Sequence, residues 1–271
     1  MMNNVEITDW IASLETSITD VNLSYLDIIV DQSGGEFFLL PALQSFSPEI
    51  RWCSLFQGLP EESMADEAPI LLRIDLTQSD QRQWMDEIIL PLGRKSRLLV
   101  LCSPWSFKSL SQYLIQCVEV TYAEQTGILR FFDPRIFPVL LSHILDEEQQ
   151  QQFLRPALFW SWLDRDEIPR FALGTGDLGS IDNPIGKIDL TDKQLESLLC
   201  VSDAHLLMPQ LNPCDYPDVA REHLFNLCYA LMVEASDAQV LLDDKRASFV
   251  LKHLKARLSL NEGAKDEKTP I

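Results

Sequence analysis

Gly174-Thr175-Gly176-Asp177-Leu178-Gly179 has the G-x-G-x-x-G spacing that lets a dinucleotide's pyrophosphate approach backbone amides. That chemistry also needs a helix opening at the third glycine. Here Ser180-Ile181-Asp182-Asn183-Pro184 follows, and a proline there removes an amide and breaks a helix. The pattern therefore reads as a loop, and no cofactor is expected. Cys200, His205, Cys214, His223 and Cys228 gather in the C-terminal half, but without the short spacing of zinc-ligand pairs, so no metal site is expected either. His143 and His253 lie in apolar helical contexts, where a packing histidine is the simpler reading. Asp164-Arg165-Asp166 sits in a charged run and reads as a solvated turn. No G-x-S-x-G nucleophile elbow occurs, and carboxylates are so abundant that paired acids carry no information. No catalytic residue emerges, and the chain is expected not to be an enzyme. A Cys–His pair assembled by the fold is the alternative left open.

With catalysis set aside, bulk charge is the strongest signal. The 271 residues carry a net charge of −19, and residues 1–50 hold eight acids before the first basic residue, Arg51. Such a field repels nucleic acid and anionic lipid and favours a basic protein partner, although it also serves plain solubility. No apolar run reaches the roughly 18 residues of a membrane span, and the N-terminus lacks the pattern of a secretory signal. A cytoplasmic protein is expected. Its six cysteines (Cys53, Cys102, Cys117, Cys200, Cys214, Cys228) are then free thiols.

The elements that must position any functional surface fall into two textures. Tyr25–Val30, Pro69–Ile74 and Arg97–Cys102 are short apolar runs that predict strands covered on both faces, and Gly127–Phe132 predicts a fourth. Between them, Trp84, Ile88 and Ile89 mark a short helix. Ser103-Pro104 supplies a cap and first-turn proline for a helix carrying Phe107, Leu110, Leu114, Cys117 and Val118. The fold class expected is α/β, with α+β as the alternative: a mixed-sheet N-terminal lobe over residues 1–165 and a smaller, mainly helical lobe. Residues 166–190, rich in glycine, read as an irregular connector. Residues 191–262 form the helical lobe and 263–271 a frayed tail. Thr191-Asp192-Lys193-Gln194 matches a capping box, Pro217 is placed to begin the next helix, and a last helix carries Val240, Leu241, Phe249, Val250, His253, Leu254 and Leu258.

The most informative stretch is Arg130-Phe131-Phe132-Asp133-Pro134-Arg135-Ile136-Phe137-Pro138-Val139-Leu140-Leu141. A strand ending at Phe132, a cap at Asp133 and Pro134 in the first turn predict a buried helix, with Pro138 requiring a start a residue or two later. Arg135 at the mouth of this elbow needs a carboxylate such as Asp133 or a carbonyl. The segment is either a buried corner of the core or a direct partner contact. It resembles the signature of the type VI secretion adaptor domain, a family catalogued as a domain of unknown function. The family's members run an aromatic strand into Asp-Pro-Arg, an apolar helix and a glutamine-containing second helix, here Asp146 through Trp160. Three further pieces match in order: Leu23–Asp27, Leu55–Glu61 followed by Ala68–Leu71, and Leu101–Pro104. Together they cover about residues 23–160. One departure is Arg155, where a glycine often precedes the proline.

The resemblance implies a chaperone that binds a secreted effector and delivers it to the spike, the trimeric valine–glycine-repeat protein, with Phe131, Phe132, Asp133, Pro134 and Arg135 as structural signature. An immunity or antitoxin-type protein that neutralises a basic toxin is the alternative. On charge alone, the acidic first 50 residues would steer a basic client segment. The last helix offers Lys245, Arg246, Lys252, Lys255 and Arg257 as candidate partner contacts, with favourable placement of cations at a helix C-terminus as the competing explanation.

Overall fold

Charged residues inside two of the apolar runs show how the sheet is built. The computed structural model describes residues 4–34, 39–178 and 186–266. β1 (Tyr25–Val30), β3 (Ile70–Asp75) and β4 (Leu98–Cys102) form where the apolar runs predict strands. They join β2 (Arg51–Ser54), β7 (Phe159–Leu163) and β8 (Pro169–Leu173) in a six-stranded sheet ordered β2-β3-β1-β4-β7-β8. Every neighbouring pair is antiparallel. Mixed pairing belongs to a small sheet, in which β5 (Glu119–Tyr122) pairs antiparallel with β6 (Gln125–Ile128) and parallel with β9 (Ile188–Asp189). The class is α/β, as expected.

Side chains alternate across the large sheet. On one face, Leu26, Ile28 and Val30 of β1, Ile70, Leu72 and Ile74 of β3, and Leu98, Val100 and Cys102 of β4 form one core cluster. Three helices close that cluster: α1 (Asn4–Asp20) through Trp10, Leu14 and Ile18 at helical spacing, α2 (Leu40–Leu43) through Leu43, and α3 (Ser79–Arg94) through Met85, Ile89 and Leu92. The Trp10 indole reaches across to β7 and donates to Ser161 Oγ at 2.8 Å. The other face carries Asp27, Arg73 and Trp160, against which α4 (Phe107–Val118) and the Arg130–Arg135 elbow are packed.

Several local expectations are corrected. Ser103 does not cap α4. Its buried hydroxyl donates to Pro156 O and accepts from Trp105 N, and Ser106 caps the helix by accepting from Ser109 N at 3.1 Å. The predicted fourth strand ends at Ile128, and Phe131 and Phe132 lie in a turn. The helix after them begins at Phe137, runs only to Val139 as α5, and continues as a π-turn over Leu140–Ile144. Pro138 thus sits in the first turn, where its missing amide is harmless. α6 (Glu147–Leu154) follows, with Asp146 and Gln149 forming a capping box, and what looked like its extension through Trp160 is β7.

The stretch expected as a connector from residue 166 contains β8 and β9, so the 165/166 boundary falls inside the β7–β8 hairpin. By internal contacts the chain divides into Met1–Leu190 and Thr191–Ile271. In the second unit the Thr191–Gln194 capping box opens α7 (Asp192–Leu207). Pro217 lies in a turn, and α8 (Arg221–Asp237) starts later. The last helix, α9, spans Asp243–Asp266, so Val240 and Leu241 precede it and the residues from 263 to 266 are helical. The rest of the predicted tail, 267–271, lies outside the described residues.

The glycine pattern has a structural use. Gly174, Thr175, Gly176 and Asp177 donate to Leu158 O, Leu154 O, Ala157 O and Arg155 O, so this strand exit satisfies carbonyls left open at the end of α6. A Cβ on Gly174 would lie 2.0 Å from Ala157 O and 2.3 Å from Leu154 O, which no rotamer relieves because both atoms are backbone. Residues 179–185, including the third glycine and Pro184, lie outside the described residues. Gly174→Ala is expected to destabilise the first unit by about 2 kcal/mol or more, read as a lowered urea midpoint with an unchanged slope.

Candidate functional site

β1 and the residue that follows it carry two buried carboxylates, Asp27 and Asp31, and both hold arginines. Asp27 is fully buried and takes a bidentate pair from Arg73, Nε to Oδ1 and Nη2 to Oδ2, each at 2.7 Å. Register places Asp27 directly opposite Arg73, so neither side chain bends to meet the other. Arg73 also donates to Trp105 O at 2.9 Å, and its guanidinium lies 3.9 Å from the centroid of the Tyr25 ring. Burial pushes the Asp27 carboxyl up to about 6, while the hydrogen bonds and charge of Arg73 oppose that shift. Four residues on, Asp31 Oδ2 accepts from Arg130 at 2.8 Å and from Arg97 at 3.4 Å, and Ser33 Oγ accepts from both arginines.

Arg130 begins the elbow, so Asp31 ties the sheet's central strand to the signature segment. Above it the Arg130 guanidinium sits 5.3 Å from the Phe132 ring centroid. Phe131 packs against Phe132, Phe153 and Trp160, and Phe137 against Phe153, Trp160 and Trp162, with centroid distances from 4.9 to 6.5 Å. The Trp160 indole is satisfied by Phe153 O at 2.8 Å. Asp133 is buried beneath Arg135 and accepts three bonds from it, from the amide, Nε and Nη2, at 2.9, 2.9 and 2.6 Å. Burial pushes this carboxyl up, but the bonds from Arg135 and the charges of Arg135 and Arg130 outweigh it and hold Asp133 below the usual carboxylate range. Arg165 closes the corner by donating to Arg135 O at 3.1 Å. Phe131, Phe132, Asp133 and Pro134 are buried, and Arg135 is half-exposed.

Of the cations expected at a partner surface, Arg246 faces inward. It is buried and donates to Ser236 Oγ at 2.6 Å, Cys200 Sγ at 3.3 Å and Asp203 at 2.8 Å, pinning α9 to α8 and α7. Arg257 is exposed but paired with Glu234. Lys245, Lys252 and Lys255 are exposed on α9, with Lys245 within 3.8 Å of Asp244. Sequence reasoning missed Asp27, Arg73, Asp31, Arg97 and Arg130. The available signal was a charge in the middle of an apolar run, as in Tyr25-Leu26-Asp27-Ile28-Ile29-Val30, because a charge buried in a sheet requires a partner.

A surface cleft beside β2 is lined by Tyr25, Glu49, Arg51, Arg73, Asp75 and Gln81, of which Arg73 is committed to Asp27 and Gln81 bridges Asp75 N and Pro48 O. Burial pushes the thiols of Cys53, Cys102 and Cys228 up, to about 11, 12 and 11, and raises that of Cys117 as well, so these four are poor nucleophiles at neutral pH. Among the described residues no group of three or more His, Cys, Asp or Glu side chains is placed to hold a metal ion, and no helix is long and apolar enough to cross a membrane.

An antiparallel sheet with buried carboxylate–arginine clamps and an aromatic elbow defines an α/β scaffold whose charged pairs face its own interior. Residues 29–152, which include β1 from Ile29, the Asp31 clamp and the whole elbow, match the family model described as a domain of unknown function (DUF4123). No curated protein and no solved structure matches the chain.

Two outcomes follow from these pairs. Arg73→Met should cost about 3–5 kcal/mol in urea unfolding, because it leaves a buried carboxylate without a counter-charge. With the Asp27 pKa raised in the folded variant, that loss should be larger at pH 8 than at pH 5. Asp133 has the opposite sign. Its lowered pKa adds stability that is complete above the ordinary aspartate value of about 3.9 and is lost on further acidification, so Asp133→Asn should flatten the acid limb of the stability profile.

Proposed function

We propose that this chain is a cytoplasmic adaptor that binds a secreted effector and loads it onto the trimeric valine–glycine-repeat spike of a type VI secretion system, without catalysing a reaction itself. The observation that carries this reading is the elbow at Arg130–Arg135. It lies within the segment matching the unknown-function family and has the aromatic–Asp-Pro-Arg–helix signature of the adaptor domain. Its polar groups are spent on one another and on Asp31, which suits a rigid scaffold. Function then resides on the outer surface.

The net charge of −19 favours a client with a basic segment. An immunity-type protein shares that preference but has no need of the spike, so the two readings part at the spike. Purified chain, effector and spike protein should form a ternary complex by size-exclusion chromatography. Association with the effector should slow markedly as salt is raised from low to physiological ionic strength. A binary complex with the toxin that never takes up the spike would identify the neutralising reading instead.

A further inference from the structure

β8 ends the large sheet, and its outer edge is unusually bare. The β7–β8 register pairs Phe159 with Leu173, Ser161 with Phe171 and Leu163 with Pro169. Ladder bonds flanking the hairpin run from Gly174 N to Leu158 O and from Asp164 N to Ile168 O, so even-numbered residues on β8 face β7. Antiparallel alternation then turns the amides and carbonyls of Phe171 and Leu173 off the sheet. Among the described residues neither amide has a backbone partner. Edges are normally blunted by charge or proline. Pro169 guards only the start of this strand, and its single charge, Arg170, is tied to Asp164 at 2.7 Å. The opposite edge, β2, begins with a charged residue, Arg51.

The side chains tell the same story. Phe159 belongs to the core cluster, and Phe171, whose ring centroid lies 5.9 Å from that of Phe159, and Leu173, directly opposite Phe159, share its core face of the sheet. Yet they are 44% and 80% exposed, beyond the reach of the helices that cover β1, β3 and β4. The apolar face thus runs one strand past its cover, with donors and acceptors ready at its rim.

We propose that β8 is a docking edge for an extended segment of another protein, which adds a seventh strand and covers Phe171 and Leu173 with apolar residues at alternate positions. The segment is neutral or basic. A second copy would bring two chains of net charge −19 together, and that repulsion disfavours self-pairing. The inference rests on the carrier role above and says where an unfolded stretch of a client is held.

The test uses the full chain and a synthetic peptide of alternating valine and threonine with lysine at each end, followed by residue-resolved amide exchange. Phe171 and Leu173 amides should exchange rapidly in the free chain and slow roughly tenfold or more at saturating peptide. Leu173→Lys should abolish the protection, as should Phe171→Pro, judged at Leu173; the latter removes an outward amide without breaking a ladder bond. A matched unfolding midpoint shows that each variant is folded, and Leu173→Lys, which leaves the backbone intact, decides the matter alone if Phe171→Pro is not. Absence of protection at saturating peptide would overturn the proposal. So would protection already present in the free chain, whether independent of concentration, meaning the edge is internally paired, or rising with it, meaning a second copy fills it. A ternary complex with the spike that forms while the edge stays unprotected sinks this inference alone, whereas edge protection without that complex sinks the carrier reading alone.

Discussion

A carboxylate inside a sheet covered on both faces has no water to turn to, and this constraint organises the first unit. β1 holds one such group, Asp27, and the residue that follows the strand, Asp31, is a second. Each must find cations, and the cations come from distant parts of the chain: Arg73 from β3, Arg97 from just before β4 and Arg130 from the elbow. Burying charge in this way gains little net stability compared with an apolar pair of the same shape. It does penalise every arrangement that leaves a carboxylate alone, so register and neighbour are both specified.

The elbow inherits its rigidity from that arrangement. Arg130 is clamped by Asp31 at one end, Arg135 by Asp133 at the other, and between them Phe131 enters a cluster with Phe153, Trp160 and Phe137 while Phe132 packs on Phe56. A short α-turn and a π-turn suffice to carry the chain onward, because aromatic packing rather than helix length fixes the path. The same economy appears at Gly174–Asp177, where a turn resembling a nucleotide loop instead closes the end of α6.

How much of this was legible depended on the range of the signal. β1, β3 and β4 were readable from apolar runs and the α7 capping box from four residues, because both signals are local. The antiparallel order was not, since continuous apolar strands usually accompany parallel sheets and nothing in a run reveals its partner. Phe131-Phe132 looked like strand because aromatic residues favour strands, but Phe131 is buried against Trp160 and Phe132 against Phe56 in a turn. β7 was hidden because its first residues, Phe159 and Trp160, read as the end of a helix. Arg246 looked like a surface cation among lysines until Ser236, Cys200 and Asp203 were brought around it from two other helices. The residues that clamp the sheet lie 46 to 99 positions apart, beyond any periodicity.

The strand order also sets a timetable during synthesis. β1 emerges from the ribosome before both of its neighbours, β3 and β4, and β7 completes the row beside β4 only after Phe159. Until residue 73 is made, the growing chain holds an acidic, apolar strand with no mate, and loop closure over such distances is slow. Before its neighbours are made, β1 is thus itself an exposed, unpaired apolar strand.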